Sequence, residues 1–263
     1  MNKTTSADGT IIAFDRTGDG PAVIHVGGAL NLRLAGAPLA EALAPDFTVY
    51  TYDRRGRGDS GDTAPFAVER EIEDIEALIA EAGGSAALYG MSSGGALALE
   101  AVARGLAITK LAVYEAPYTP EDETRLRESR VYDAELTELL SANRRGDAVE
   151  LFMRLVGVPT EMISHLRAAP MWPAMEAVAP TLAYDSAALG FAVTGGRMPA
   201  ERFAAVKIPA LVMDGGASPA WMRETARRLA DALPHARHRS LAGQTHDVAT
   251  EALAPVLKEF LAA

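Results

Sequence analysis

The chain has 263 residues and 49% apolar composition, enough to bury one large core, and carries 35 Asp and Glu against 25 Lys and Arg. The resulting net charge of −10 argues against non-specific binding to nucleic acid or to an anionic membrane surface. With no cysteine, disulfides, thiolate catalysis and cysteine-ligated metals are excluded.

Residues Met1 to Gly9 are polar with no signal-like apolar stretch, and no later run is long and apolar enough to span a bilayer, so a cytoplasmic protein is expected. Thr10–Phe14 and Ala22–Val26 read as strands, the second running into Gly27-Gly28. Leu39–Ala44 reads as a short helix and Phe47–Tyr52 as a strand ending at Asp53. Apolar residues at 68, 72, 75, 78, 79 and 82 form a helical stripe on an otherwise acidic segment. Ala86–Tyr89 is a strand, Gly94–Ala103 a helix and Ile108–Tyr114 a strand stopped by Ala116-Pro117. Near the end come a strand at Pro209–Asp214, a helix at Trp221–Leu233, a short strand at Arg237–Leu241 and a helix at Ala252–Leu261. Repeated strand–helix units with Gly and Pro punctuation predict a mostly parallel sheet flanked by helices.

Between Pro120 and Pro209 that rhythm breaks. The segment offers helical patches only, at Thr124–Ser141, Ala148–Val156, Thr160–Ala168 and Met175–Leu189. It follows a strand whose C-terminal end lies on the edge where such sheets bind ligands, so a helical lid over residues 120–205 is expected, on a core of 1–119 and 206–263. Extra packing helices are the plainer reading. Met153, Met162, Met171, Met175, Trp172 and Phe191 suit an adaptable apolar pocket, although such side chains fill cores as well.

Gly90-Met91-Ser92-Ser93-Gly94 joins the strand ending at Tyr89 to the helix that follows. A serine on so sharp a strand-to-helix turn is thrust above the sheet, beside the free N–H groups of the new helix. A nucleophilic serine needs a base, and the base an orienting carboxylate. His246, in the loop Leu241–Asp247 before the last helix, is the expected base; His25, His165, His235 and His238 compete. The third member stays open on the residues alone. Glu115 and Asp214 each end a strand on the elbow's edge, Asp53 precedes Arg54, Arg55 and Arg57 and is expected to tie down their loop, and Asp247 adjoins the histidine itself.

These residues give the chain a resemblance to the α/β-hydrolase fold superfamily, in its lid-bearing branch. It rests on Val26-Gly27-Gly28, Tyr52-Asp53-Arg54-Arg55-Gly56-Arg57-Gly58-Asp59-Ser60, Gly90–Gly94, Pro209–Met213, Leu233-Pro234 and Gly243-Gln244-Thr245-His246, in the family's order over nearly the whole chain. The resemblance implies Ser92 as nucleophile, His246 as base, and the backbone N–H groups of Gly28 and Ser93 as an oxyanion hole. The family commonly places its acid in the loop after the strand at Pro209–Met213, where this chain has Ser218. Some members carry it instead at the end of the strand after the elbow helix, where Glu115 stands. Glu115 is therefore the expected acid, with Asp214 or no acid as alternatives.

No cofactor is expected, because neither a phosphate-binding Gly-Lys loop nor a dinucleotide fingerprint is present, and no histidine–carboxylate spacing supports a metal. The expected partner is a small apolar molecule, with no nucleic acid or membrane; oligomeric state is not readable. The leading expectation is a serine hydrolase of a small or medium apolar carboxylic ester. Carbon–carbon bond hydrolysis, lyase or cofactor-free haloperoxidase-like chemistry on the same scaffold, and a non-enzymatic receptor-like or structural relative, are the alternatives.

Overall fold

Side chains of the central strands alternate between two layers of core, as a period of two requires. In the computed structural model, which describes residues 1–263, Leu88, Leu111, Val113 and Val212 pack into one apolar cluster and Tyr89, Ala112, Tyr114 and Met213 into another. In chain order the elements are β1 (Asn2–Thr5), β2 (Ile11–Thr17), β3 (Ala22–Val26), α1 (Ala37–Leu43), β4 (Thr48–Tyr52), α2 (Val68–Glu81), β5 (Ala86–Met91), α3 (Ser93–Ala103) and β6 (Ile108–Tyr114). After a helical stretch come β7 (Ala210–Gly215), a helix at Ala220–Ala232, β8 (Ala236–Leu241) and a last helix at Thr250–Ala262.

The sheet order is β1-β2-β4-β3-β5-β6-β7-β8, antiparallel across β1/β2 and β2/β4 and parallel elsewhere. From β3 the chain moves outward to β4 and then returns to the other side of β3 for β5. That reversal opens a crevice beyond the C-terminal ends of β3 and β5, where open parallel sheets bind ligands. Gly28 and Ser92 both lie just past those ends.

Between β6 and β7 the chain adds no strand to the sheet. It forms α4 (Glu123–Ser141), α5 (Arg145–Leu155), α6 (Thr160–Arg167), α7 (Trp172–Val178), α8 (Leu182–Leu189), α9 (Phe191–Thr194) and α10 (Ala200–Phe203), tied to the segment after β6 by one bridge between Thr119 and Arg197. The Ala220–Ala232 and Thr250–Ala262 helices are then α11 and α12. No helix is long and apolar enough to cross a membrane.

Two local expectations change. The patch read as one helix over Met175–Leu189 is broken by a 3₁₀ turn at Ala179–Thr181, because Pro180 lacks an N–H and its ring clashes with the preceding turn. β1 went unread because it is a polar edge strand, Asn-Lys-Thr-Thr, with no apolar alternation to betray it. In α2 the apolar stripe is buried as expected, but Glu71 and Asp74 are buried beside it.

Candidate active site

Ser92 occupies the tight turn between β5 and α3 at φ 56°, ψ −131°, a conformation that non-glycine residues adopt at a cost. The turn is this tight because its neighbours lack side chains. A Cβ on Gly94 would sit 2.2 Å from the carbonyl oxygen of Val26, and one on Gly28 would sit 3.0 Å from the Ser92 Cβ. The β3 loop therefore lies directly against the strand-to-helix turn at Ser92. Leu30, in that loop, is a second residue held at positive φ (59°).

His246 leaves the loop after β8 and presents Nδ1 to Glu115 Oε2 at 2.8 Å. Glu115 is fully enclosed, and its other oxygen accepts the Gly215 N–H at 2.8 Å. It too is held at positive φ (46°), which turns it out of line with β6 and across the end of β7. With Nδ1 engaged by the carboxylate, Nε2 is the ring nitrogen left for proton transfer. Tyr114 supports the same loop by donating its hydroxyl hydrogen bond to the Thr245 carbonyl.

Ser92 and His246 open onto one cavity of about 430 Å³, without a direct hydrogen bond between them. Such contacts are often loose before substrate draws them together. Phe152, Leu155, Leu182, Phe191, Trp221 and Met222 contribute most of the apolar wall, the first four from the helical stretch between β6 and β7.

The competing residues go elsewhere. Asp214 accepts hydrogen bonds from Ser240 Oγ at 2.6 Å and from the His238 imidazole, both on the neighbouring strand β8. Ser218 is buried in the loop after β7, its N–H donating to the Gly215 carbonyl. His25 lines a separate cavity of about 220 Å³ rather than the floor of the serine's, stacks on Tyr89, and is held down to about 4 by burial. Asp247 faces that same second cavity. His165 is exposed on α6, and His235 lies on the far side at the rim of a third hollow. No three His, Asp or Glu side chains converge as metal ligands do.

Asp53 does hold the loop after β4, accepting the Asp59 N–H at 3.0 Å, and it also accepts from the Arg33 backbone and guanidinium. The arginines beyond it were not read as buried, yet all three are. Arg55 forks onto Asp74 at 2.7 and 2.8 Å, and Arg54 onto Glu71 at 2.7 Å. Arg54 and Arg57 also converge on Asp185 of α8, which accepts at 2.6 Å from the first and at 2.8 and 2.9 Å from the second. Burial pushes the Asp185 carboxyl up, but the charges of Arg57 and Arg54 outweigh it and hold the group below its ordinary range. The only sequence signal for Asp185 was one acid inside the apolar run Leu182-Ala183-Tyr184-Asp185-Ser186-Ala187-Ala188-Leu189.

The comparisons agree with this architecture. Residues 23–259 match the profile of the alpha/beta hydrolase family, and the chain belongs to that family. It is similar over 99% of its length, and all of the other chain, to an alpha/beta hydrolase from Sphaerobacter thermophilus DSM 20745, at 56% identity and a TM-score of 0.89. A thermophilic esterase from Thermogutta terrifontis (24% identity, TM-score 0.73, covering 99% of this chain and 97% of that one) shares the fold. So does an enol-lactonase from Burkholderia xenovorans LB400 (22% identity, TM-score 0.68, both chains covered completely). No curated protein sequence matches the chain.

Proposed function

We propose that the protein is a serine hydrolase that cleaves small or medium, largely apolar carboxylic esters through an acyl-enzyme. The observation that carries this reading is the Glu115–His246 pair at 2.8 Å on the cavity that Ser92 also lines. In the proposed reaction Ser92 Oγ attacks the ester carbonyl while His246 Nε2 takes its proton, and Glu115 stabilises the imidazolium so formed. The carbonyl oxygen, now negative, is received by the N–H groups of Gly28 and Ser93. His246 then protonates the departing alcohol and afterwards activates the water that releases the acid.

Cavity volume and apolar lining support a substrate of modest size, and α4 to α10 would act as the lid that supplies most of that lining. Ester is preferred to amide because alcohols leave more easily, and an esterase and an enol-lactonase share the fold. The test is covalent labelling by an activated phosphonate, read by intact mass. The wild type should gain one adduct and Ser92→Ala none, with the melting temperature close to wild type. An equal adduct on both would remove Ser92 from the mechanism.

A further inference from the structure

The buried charges at the end of β4 reach the peptide unit that carries the Gly28 N–H, one of the two proposed oxyanion donors, and the peptide after it. Arg54 Nη1 donates to the Gly27 carbonyl at 3.3 Å, and that carbonyl belongs to the same planar peptide as the Gly28 N–H. Arg57 Nη1 donates to the next carbonyl, that of Gly28, at 2.6 Å. The two guanidinium groups thus fix the peptides on both sides of Gly28, and drawing electron density toward the Gly27 oxygen strengthens the Gly28 N–H as a donor. The second donor, Ser93, is held through its side chain, whose Oγ donates to Asp185 Oδ1 at 2.8 Å.

One carboxylate joins all three contacts. Asp185 Oδ1 accepts from Arg54, Arg57 and Ser93, and Oδ2 accepts from Arg57 again. Asp185 sits on α8, in the stretch between β6 and β7, whereas every group it holds belongs to the sheet core. It also borders the cavity of Ser92 and His246. A neutral packing residue there would leave two buried arginines facing each other with only Glu71 between their charges and the protein interior.

We propose that Asp185 is a positioning residue through which the helical insertion sets the oxyanion hole, holding Gly28 by way of Arg54 and Arg57 and holding Ser93 directly. This rests on the reading of Gly28 and Ser93 as oxyanion donors. Asp185 does not touch the reacting atoms. Its effect should fall on the transition state, where the negative oxygen exists, more than on ground-state binding.

The test sets Asp185→Asn against Asp74→Asn. Asp74 is an equally buried partner of an arginine from the same loop, but Arg55 touches neither Gly27 nor Gly28, so the pair is matched for stability and not for site geometry. Turnover of a short-chain p-nitrophenyl ester, the phosphonate labelling rate and the melting temperature are measured for each. Asp185→Asn should lower kcat and the labelling rate about ten- to a hundredfold with KM little changed. Asp74→Asn should lower the melting temperature while kcat stays near wild type. Arg57→Lys keeps the charge against Asp185 but loses the fork that also reaches Gly28, and should lower kcat about tenfold with a smaller melting change. Wild-type kcat in Asp185→Asn would overturn the assignment, as would equal kcat losses in Asp185→Asn and Asp74→Asn. If Asp185→Asn does not fold, Arg57→Lys decides by the same measure. Failure of the wild type to be labelled at Ser92 would instead overturn the hydrolase reading itself.

Discussion

β6 and β7 lie side by side, and each carries at its end a buried carboxylate that meets an imidazole, yet only one of the two pairs opens onto the cavity that Ser92 lines. Asp214 is still inside β7, opposite Ser240 in the parallel register, so its side chain stays on the sheet face and is met by Ser240 and His238 of β8. Glu115 is one residue past the end of β6, in left-handed backbone, and its longer side chain crosses the end of β7 to reach the Gly215 N–H and His246. A carboxylate in a strand is aimed by the sheet's alternation, whereas one just beyond the strand is aimed by a strained turn. The contrast separates a carboxylate held within the sheet from one turned toward the cavity of Ser92 and His246.

The largest expected effect tests the β6 side of that comparison. Glu115→Gln keeps the shape and the bond to Gly215 but removes the charge that would stabilise a protonated His246, so kcat on a p-nitrophenyl ester should fall roughly a thousandfold or more. The fall should come with little change in the far-UV spectrum. Retained turnover would break the comparison and take Glu115 out of the proposed triad.

Asp214→Asn tests the β7 side. It leaves an oxygen to accept from Ser240 but weakens the bond to His238, whose side chain is one-quarter exposed, so a loss of about 1–2 kcal/mol in urea unfolding is expected. Its kcat should match the wild type. A collapse of kcat here, with Glu115→Gln active, would transfer the catalytic role to Asp214.

His25 sharpens the comparison as an imidazole with no carboxylate beside it. Its pKa of about 4 lies below the ordinary 6.5, so between those values the unfolded chain binds the proton and the folded chain does not. Folding stability contributed by neutral His25 is therefore complete above pH 6.5 and is lost as pH falls toward 4. His25→Gln should flatten the decline of melting temperature between pH 7 and about 4.5. An unaltered slope would mean that other groups govern acid sensitivity.

The legible part of the chain was that governed by local rules. The strands at 108–114 and 210–215 could be read because each is a short apolar run with a defined stop. The elbow could be read because Gly-x-Ser-x-Gly between strand and helix has a steric reason, visible in the Gly94 contact with Val26. Glu115 and Asp214 could both be placed at strand ends, but which one meets His246 depends on a backbone turn and on a loop 131 residues further along the chain. The burial of Glu71 and Asp74, within a segment legible only as acidic, is not readable from the sequence because their arginine partners come from another element.

The amino-acid sequence by itself determined the order of strands and helices, the serine at the elbow and the late histidine, since apolar period, glycine sterics and loop position act within a few residues. The tertiary structure decided the partner of each charge, the residues alone having left the partner of His246 open and the family resemblance having pointed to Glu115. His246 with Glu115, His238 with Asp214, and Arg54 and Arg57 with Asp185 are contacts between distant segments, 24 to 131 residues apart. Their formation follows from which strand lies beside which, and from the strong requirement that a buried charge find its opposite once the fold has removed it from water.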